Sequence, residues 1–341
     1  MRKVRLPDET GIFLVLVVVL VVLSILSPSF ATVSNGMSLL LNGAVIAFLA
    51  LGQTFVLLTG GIDLSTGANV AMTGVLAAVL MAADIPWPIA ALLAVGAGLL
   101  LGVINGLLIH YVKVPPFIVT FSTQGIAIAV PLIITGANSI SVRQPGFSWI
   151  GQGRMAGIPL PVVMLIVAAV VATWFLTRTR WGVHIYASGG NRAAARLAGV
   201  NLSTITVLAY AVSGVCGGIA GLIATSRLMV GFPATGLGNE LFFSIAAAVV
   251  GGVSLFGGTG AVPGAMIGAV LIAAVSNGMN VLNVSSYWQS LVIGLIILLG
   301  VSFDTYRRGL SGRSVLSALT SASGRAPKET AAPVGSVPES R

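Results

Sequence analysis

Residues 57–72 read LLTGGIDLSTGANVAM, and the reading of this stretch decides the fold. An apolar run stops at Gly60 and Gly61, a lone carboxylate follows at Asp63, and a second apolar run begins behind Ser65, Thr66 and Gly67. Strands would alternate apolar and polar residues, and the runs on both sides do not alternate, so the stretch joins two helices. Gly60 and Gly61 permit a tight reversal. Ser65 or Asp63 can cap the helix that follows, where a carboxylate sits well near the positive helix end.

Working outward, the same pattern fills the chain. Of 341 residues, 56% are hydrophobic and 7% are charged, whereas a soluble domain carries about a quarter charged residues. That is too little charge to solvate a particle in water. Several apolar runs exceed the ~18 residues needed to cross a hydrocarbon core about 30 Å thick. The chain is therefore an all-α integral membrane protein, with ten apolar segments near 11–30, 38–58, 67–83, 87–109, 117–135, 158–176, 205–226, 241–256, 261–282 and 287–303. The segment over 241–256 is the weakest, because Gly251, Gly252, Gly257 and Gly258 interrupt it, as in a broken or re-entrant element. The first segment has a basic start like a signal peptide, yet its length and the nine that follow favour retention.

Charge sets the orientation. Arg2, Lys3 and Arg5 precede the first segment, Arg178, Arg180, Arg192 and Arg196 follow the sixth, and Arg307, Arg308, Arg313, Arg325, Lys328 and Arg341 follow the last. With Lys113, fourteen of seventeen basic residues then lie on one side, which the positive-inside rule makes the cytoplasm. Both termini are expected in the cytoplasm: a short N-terminus at 1–10, a membrane-spanning body at 11–304, and a Ser-, Ala-, Gly- and Pro-rich tail at 305–341 that reads as disordered. The basic residues lack aromatic interleaving, so the net charge of +9 does not indicate nucleic acid. Trp87, Trp149, Trp174, Trp181 and Trp288 fall near the expected membrane interfaces and read as lipid anchors.

Several chemistries are missing. None of the three lysines lies in a phosphate-cradling loop, and His110 and His184 stand alone. Cys216 is the only cysteine, so no disulfide, thiolate cluster or metal site is expected. No cofactor is implied and the chain itself is not an enzyme. A carrier driven by protons or sodium shows ionisable groups inside its spans, and here they fall near segment ends. The energy source then lies on another chain. The alternative is a stand-alone secondary carrier or channel for a small polar solute, because backbone carbonyls alone can hold sodium.

The connection at 177–204, TRTRWGVHIYASGGNRAAARLAGVNLST, could receive that energy. Asn191 is a good N-cap, RAAARLA has high helix propensity, and Gly199 supplies a stop. A two-turn, alanine-faced helix fits a groove on a partner. Arg192 and Arg196 at i, i+4 also suit lipid headgroups.

From about residue 39 to 304 the chain resembles the permease subunits of bacterial ABC importers for monosaccharides of the ribose, xylose and galactose type. The resemblance rests on LTGGIDLS, GVINGLLI with PPFIVT, YASGGNRAAARLAGV, IAAAVVGGVSLFGGTG and SNGMNVLNVSSYWQ, in that order. It implies ABC ATPase subunits, a second permease subunit (identical or related), a periplasmic or lipid-anchored sugar-binding protein, and a prokaryotic cytoplasmic membrane. It also implies that the helix at Gly190, Asn191, Ala194, Ala195 and Gly199 couples to the ATPase. The chain departs from the family where Arg192 and Ala193 stand in place of glutamates, and at Val183, Phe243 and Ile128.

Two further patterns bear on the path. GGIDL at 60–64 recurs as GGVSL at 251–255, which suggests duplicated halves, with Ser254 in place of Asp63. In the fifth segment Phe117, Phe121 and Gln124 share one face by spacing, and so do Thr120, Thr123 and Gln124. A polar stripe suits a water-filled path, with Asp63 offering hydrogen bonds to sugar hydroxyls. The competing reading makes Asp63 a cap and hinge and the threonines interhelical or backbone partners. Asn42, Gln53, Asn69, Asn105 and Asn277 are further polar residues inside spans, each read as packing glue.

Overall fold

The computed structural model describes residues 10–285, 287–302 and 305. Residues 1–300 cluster as one unit and 301–341 as a second. The expected N-terminal segment, save Thr10, and the expected tail, save Thr305, lie outside the described residues. Thirteen helices are described: α1 Thr10–Leu26, α2 Val33–Leu58, α3 Thr66–Ala82, α4 Trp87–Leu107, α5 Pro116–Thr135, α6 Ser148–Gln152, α7 Leu160–Arg178, α8 Arg180–Gly190, α9 Arg192–Leu197, α10 Leu202–Leu228, α11 Glu240–Val250, α12 Val262–Val281 and α13 Tyr287–Ser302. A π-helical turn, Leu108–Val112, extends α4.

Six of these, α2, extended α4, α5, α7, α10 and α12, are long and apolar enough to cross a membrane. Apolar helices α1, α3, α11 and α13 are shorter. The sides of the molecule carry side chains such as Leu92, Ile133 and Leu299, each at least two-thirds exposed. A continuous apolar exterior of that kind belongs in lipid.

Small residues build the centre. Helix α10 is the hub, packed against α2, α3 and α4. On α4, Gly98, Gly102 and Gly106 recur every fourth residue and form one seam against α10. A Cβ on Gly98 would stand 2.7 Å from Gly214 O, and one on Gly106 would stand 2.5 Å from Val207 Cα. A Cβ on Gly102 would collide with Tyr210 O. In lipid, apolar burial does not drive helices together, so close backbone approach and van der Waals contact must do so.

Helix α2 is buried on every side from Gly43 to Leu58, as an all-round apolar helix inside a bundle should be. It runs antiparallel to α10: Asn42 meets Arg227, while Gly52 meets Ser213. Helix α3 runs parallel to α10, with Asn69 beside Gly214 and Gly74 beside Thr225. Helices α11 and α12 pack on α2, α5 on α3, and α1 on α12.

The two ends differ. At the end away from α8 and α9, Ile140–Ser141 (β1) pairs antiparallel with Val230–Gly231 (β4). Nearby, Arg154–Met155 (β2) and Ile158–Pro159 (β3) form a hairpin. The Gln144 amide donates to Ile85 O at 2.8 Å and Met81 O at 3.3 Å, while its carbonyl accepts from Trp87 N–H at 2.8 Å. The end bearing α8 and α9, called the lever end below, lacks such strand pairing among the described residues.

Candidate functional site

The segment 177–204 holds two helices, not a loop with one. Helix α8 begins where Thr179 Oγ1 accepts from Gly182 N–H at 3.2 Å, and it buries Gly182, Ile185 and Ser188. Helix α9 begins where Asn191 Oδ1 accepts from Ala194 N–H at 2.9 Å. It ends with Gly199 at φ +81° and a Val200 N–H to Ala195 O bond of 3.0 Å. The paired alanines part company: Ala194 is exposed and Ala195 is buried. Leu197, 89% exposed at the tip, adds an apolar knob that the sequence reading passed over.

Below this lever, three glycine-rich breaks meet backbone to backbone. They are Gly60 after α2, Gly189–Gly190 at the end of α8, and Gly257–Gly258 in the segment after α11. Gly258 N–H donates to Leu58 O at 2.9 Å. A Cβ on Gly257 would stand 2.8 Å from Gly60 N and 2.9 Å from Gly189 Cα. One on Gly258 would stand 2.6 Å from Gly190 Cα, and one on Gly189 would collide with Leu58 O. Gly60, Gly257 and Gly258 also have φ of +77°, +85° and +74°, a region that side chains disfavour. The Tyr186 hydroxyl reaches Gly260 O at 2.8 Å. The end of α8 that leads into α9 therefore touches both breaks through backbone atoms.

Asp63 lies deeper than the sequence reading placed it. Its partner Ser213 is the twelfth residue of α10, about 16 Å along from the lever end of that helix. After α2 ends at Leu58, the chain turns back and starts α3 only at this depth. Asp63 is 1% exposed. Its Oδ1 accepts from Ser65 N–H at 2.9 Å and Ser65 O–H at 2.6 Å, and its Oδ2 accepts from Ser213 O–H at 2.7 Å. Asn105 Nδ2 donates to Ser65 Oγ at 3.0 Å. The Tyr210 hydroxyl donates to Ile62 O at 3.1 Å.

These bonds satisfy irregular backbone where lipid offers no partner. Ser65 makes no side-chain cap, because its hydroxyl is engaged by Asp63. The second break repeats the device: Ser254 Oγ accepts from Phe256 N–H at 3.2 Å, the same two-residue reach as Asp63 to Ser65.

Helix α5 divides the candidate path residues. Thr120 and Thr123 are buried and donate to backbone: Thr120 to Pro116 O at 2.9 Å and Ile62 O at 3.4 Å, Thr123 to Thr120 O at 3.2 Å. Phe117 and Phe121 face outward, stacked with centroids 6.0 Å apart and 3° between planes. Gln124 is half-buried at the boundary. Thr120 thus joins the Asp63 region through Ile62, while the phenylalanines do not. Ser213 and Tyr210 were missed by the sequence reading, since nothing local marks a serine or tyrosine in an apolar helix. Among the described residues no group of three His, Cys, Asp or Glu side chains could hold a metal.

Residues 35–301 match the family described as "Branched-chain amino acid transport system / permease component". The chain is 39% identical over 306 residues to a ribose import permease protein of Haemophilus influenzae, covering 89% of this chain and 94% of that one. It is 40% identical over 299 residues to the ribose import permease protein of Bacillus subtilis, covering 87% and 92%. It is 36% identical over 299 residues to a D-allose transport system permease protein of Escherichia coli, covering 87% and 91%. No solved structure matches.

Proposed function

Because the chain belongs to the branched-chain amino acid transport system permease component family, we propose that it is the membrane-spanning permease subunit of an ATP-driven importer for a monosaccharide. A second permease copy or relative completes the path, two ATPase subunits sit against the lever end, and a soluble binding protein delivers substrate at the other. The membrane is the prokaryotic cytoplasmic one. The four shorter apolar helices bring the crossings to about ten, and the basic termini lie in the cytoplasm.

One observation carries the reading beyond resemblance: the base of α9 is in backbone contact with both glycine breaks. Closure of the ATPases pushes on Ala194 and Leu197, and Asn191 holds the first turn of α9. Gly189 and Gly190 pass the displacement to Gly60 and Gly257. The Asp63 and Ser254 turns transmit it to α3 and to the segment before α12. Phe117, Phe121 and Gln124 on α5 face the second permease subunit and line the path, while Asp63, Thr120 and Thr123 brace it. Sugar contacts in such a path are few and weak, so substrate can leave.

The test is purification of the tagged protein from its native membrane in mild detergent, followed by reconstitution. An ATPase chain should co-purify, and sugar uptake should require ATP and an intact α9. Uptake by the permease alone, or by a complex lacking residues 191–199, refutes the assignment.

A further inference from the structure

A cavity of about 300 Å³ opens between α2, α10, α11 and α12, at the end opposite the lever. Arg227, Glu240, Asn42, Asn277, Asn280 and Ser276 converge on it. We infer that this cavity, inside a single permease subunit, is a resting site for one uncharged monosaccharide. The inference deepens the proposed function and rests on it.

Size comes first. The volume equals that of about ten water molecules, room for one small ring of about ten to twelve heavy atoms and too little for a disaccharide. Charge comes second. One guanidinium and one carboxylate line the same space, so an anion would leave Glu240 facing it and a cation would leave Arg227 facing it. An uncharged ligand avoids both costs.

The balance of donors and acceptors narrows the class further. Arg227 donates to Asn42 Oδ1 at 3.0 Å. Asn277 Oδ1 already accepts from Asn35 Nδ2 at 2.9 Å, and Asn280 Oδ1 from Gln289 Nε2 at 2.6 Å. Each of these carbonyls keeps a lone pair beyond its partner, and the amide and guanidinium N–H groups add donors, so the wall offers both kinds of group. Glu240 Oε2 is buried without a hydrogen-bond partner. A polyhydroxylated ring fits this mixed wall, because each hydroxyl both donates and accepts. Val45, Ile46, Val70 and Phe243 supply apolar wall for the C–H faces.

The nearly cysteine-free chain makes a direct test possible. Cys216 is buried, so Ser276→Cys introduces one thiol at the cavity wall. The full importer complex carrying this change is labelled with a small membrane-impermeant thiol reagent, with and without D-ribose, D-allose, L-arabinose, D-xylose, D-galactose or L-leucine. At least one sugar should slow labelling threefold or more at millimolar concentration, whereas L-leucine should not. Adding Glu240→Gln should raise the half-protecting concentration about tenfold and leave labelling without sugar unchanged.

A thiol that never reacts, sugars that never protect, protection by L-leucine alone, or a Glu240→Gln change without effect on protection each overturns the inference. Uptake in the same vesicles separates the two levels. Import of a labelled sugar without protection removes this site and leaves the proposed function standing, while absence of any sugar import removes both.

Discussion

Gly189 and Gly190 are neighbours in one helix, yet their environments are opposite, and replacing each by alanine tests the glycine junction. At both positions the helix gains from alanine by about 0.5–1 kcal/mol, because the unfolded chain loses freedom and the folded one loses nothing. At Gly190 nothing lies within 4 Å of the added Cβ, so that gain is the whole effect. At Gly189 the Cβ collides with Leu58 O and stands 2.6 Å from Gly258 N.

Both of those atoms are backbone and cannot rotate away. The junction must widen, straining the contact at a cost of about 1–3 kcal/mol. The 2.9 Å bond from Gly258 to the buried Leu58 is then stretched or lost, at a further ~1–3 kcal/mol. Those costs exceed the helix gain, so Gly189→Ala destabilises by about 1–5 kcal/mol while Gly190→Ala is neutral or stabilising. Thermal unfolding of the purified permease reads the stability, and ATP-driven uptake in proteoliposomes reads the coupling. Gly189→Ala should lower both, with uptake down at least tenfold, and Gly190→Ala should spare both. Equal tolerance of the two changes, or equal damage, refutes the claim that these breaks touch.

Other substitutions probe the remaining features. Asp63→Ala strands the Ser65 N–H and Ser213 O–H donors at a cost of about 2–5 kcal/mol, whereas Asp63→Asn keeps an acceptor for Ser65; membrane yield and melting temperature should rank asparagine above serine above alanine. Asn191→Ala removes the cap of α9 at about 1 kcal/mol and should reduce ATPase co-purification, with Asn191→Asp retaining it. Gly102→Val should prevent assembly of α4 on α10, seen as aggregation on size exclusion, while Gly96→Ala, in open space, should elute normally. Phe117→Ala with Phe121→Ala removes an exposed stack worth about 0.5–1.5 kcal/mol, so the protein should fold and its uptake should slow.

How far the sequence spoke depended on the range of the interaction. The Asn191 turn was legible because a cap is local: the donor is three residues away. Helix α8 was not, since RWGVHIYASGG has three glycines and low intrinsic propensity. It is held by burying Ile185 and Ser188 and by the Tyr186 bond to Gly260, 74 residues on. The acid at 63 announced itself as unusual, but its depth is set by Ser213, 150 residues away. On α5 the helical spacing left Gln124 shared between two faces. Which face turned inward follows from packing on α3 and α4, where Ala127 joins Ala68, Met72 and Leu101, residues 26 to 59 positions away.

The β1–β4 pairing and the Gln144 bonds knit the outer rim, whereas the lever end is joined through glycines. A body clamped at one rim and hinged at the other behaves like a pair of tongs. Strand pairing and side-chain bonds resist distortion at the first rim, whereas the glycine contacts at the second leave the backbone freer to adjust. Any partner docking at the strand-paired rim would meet a surface held in place by that pairing.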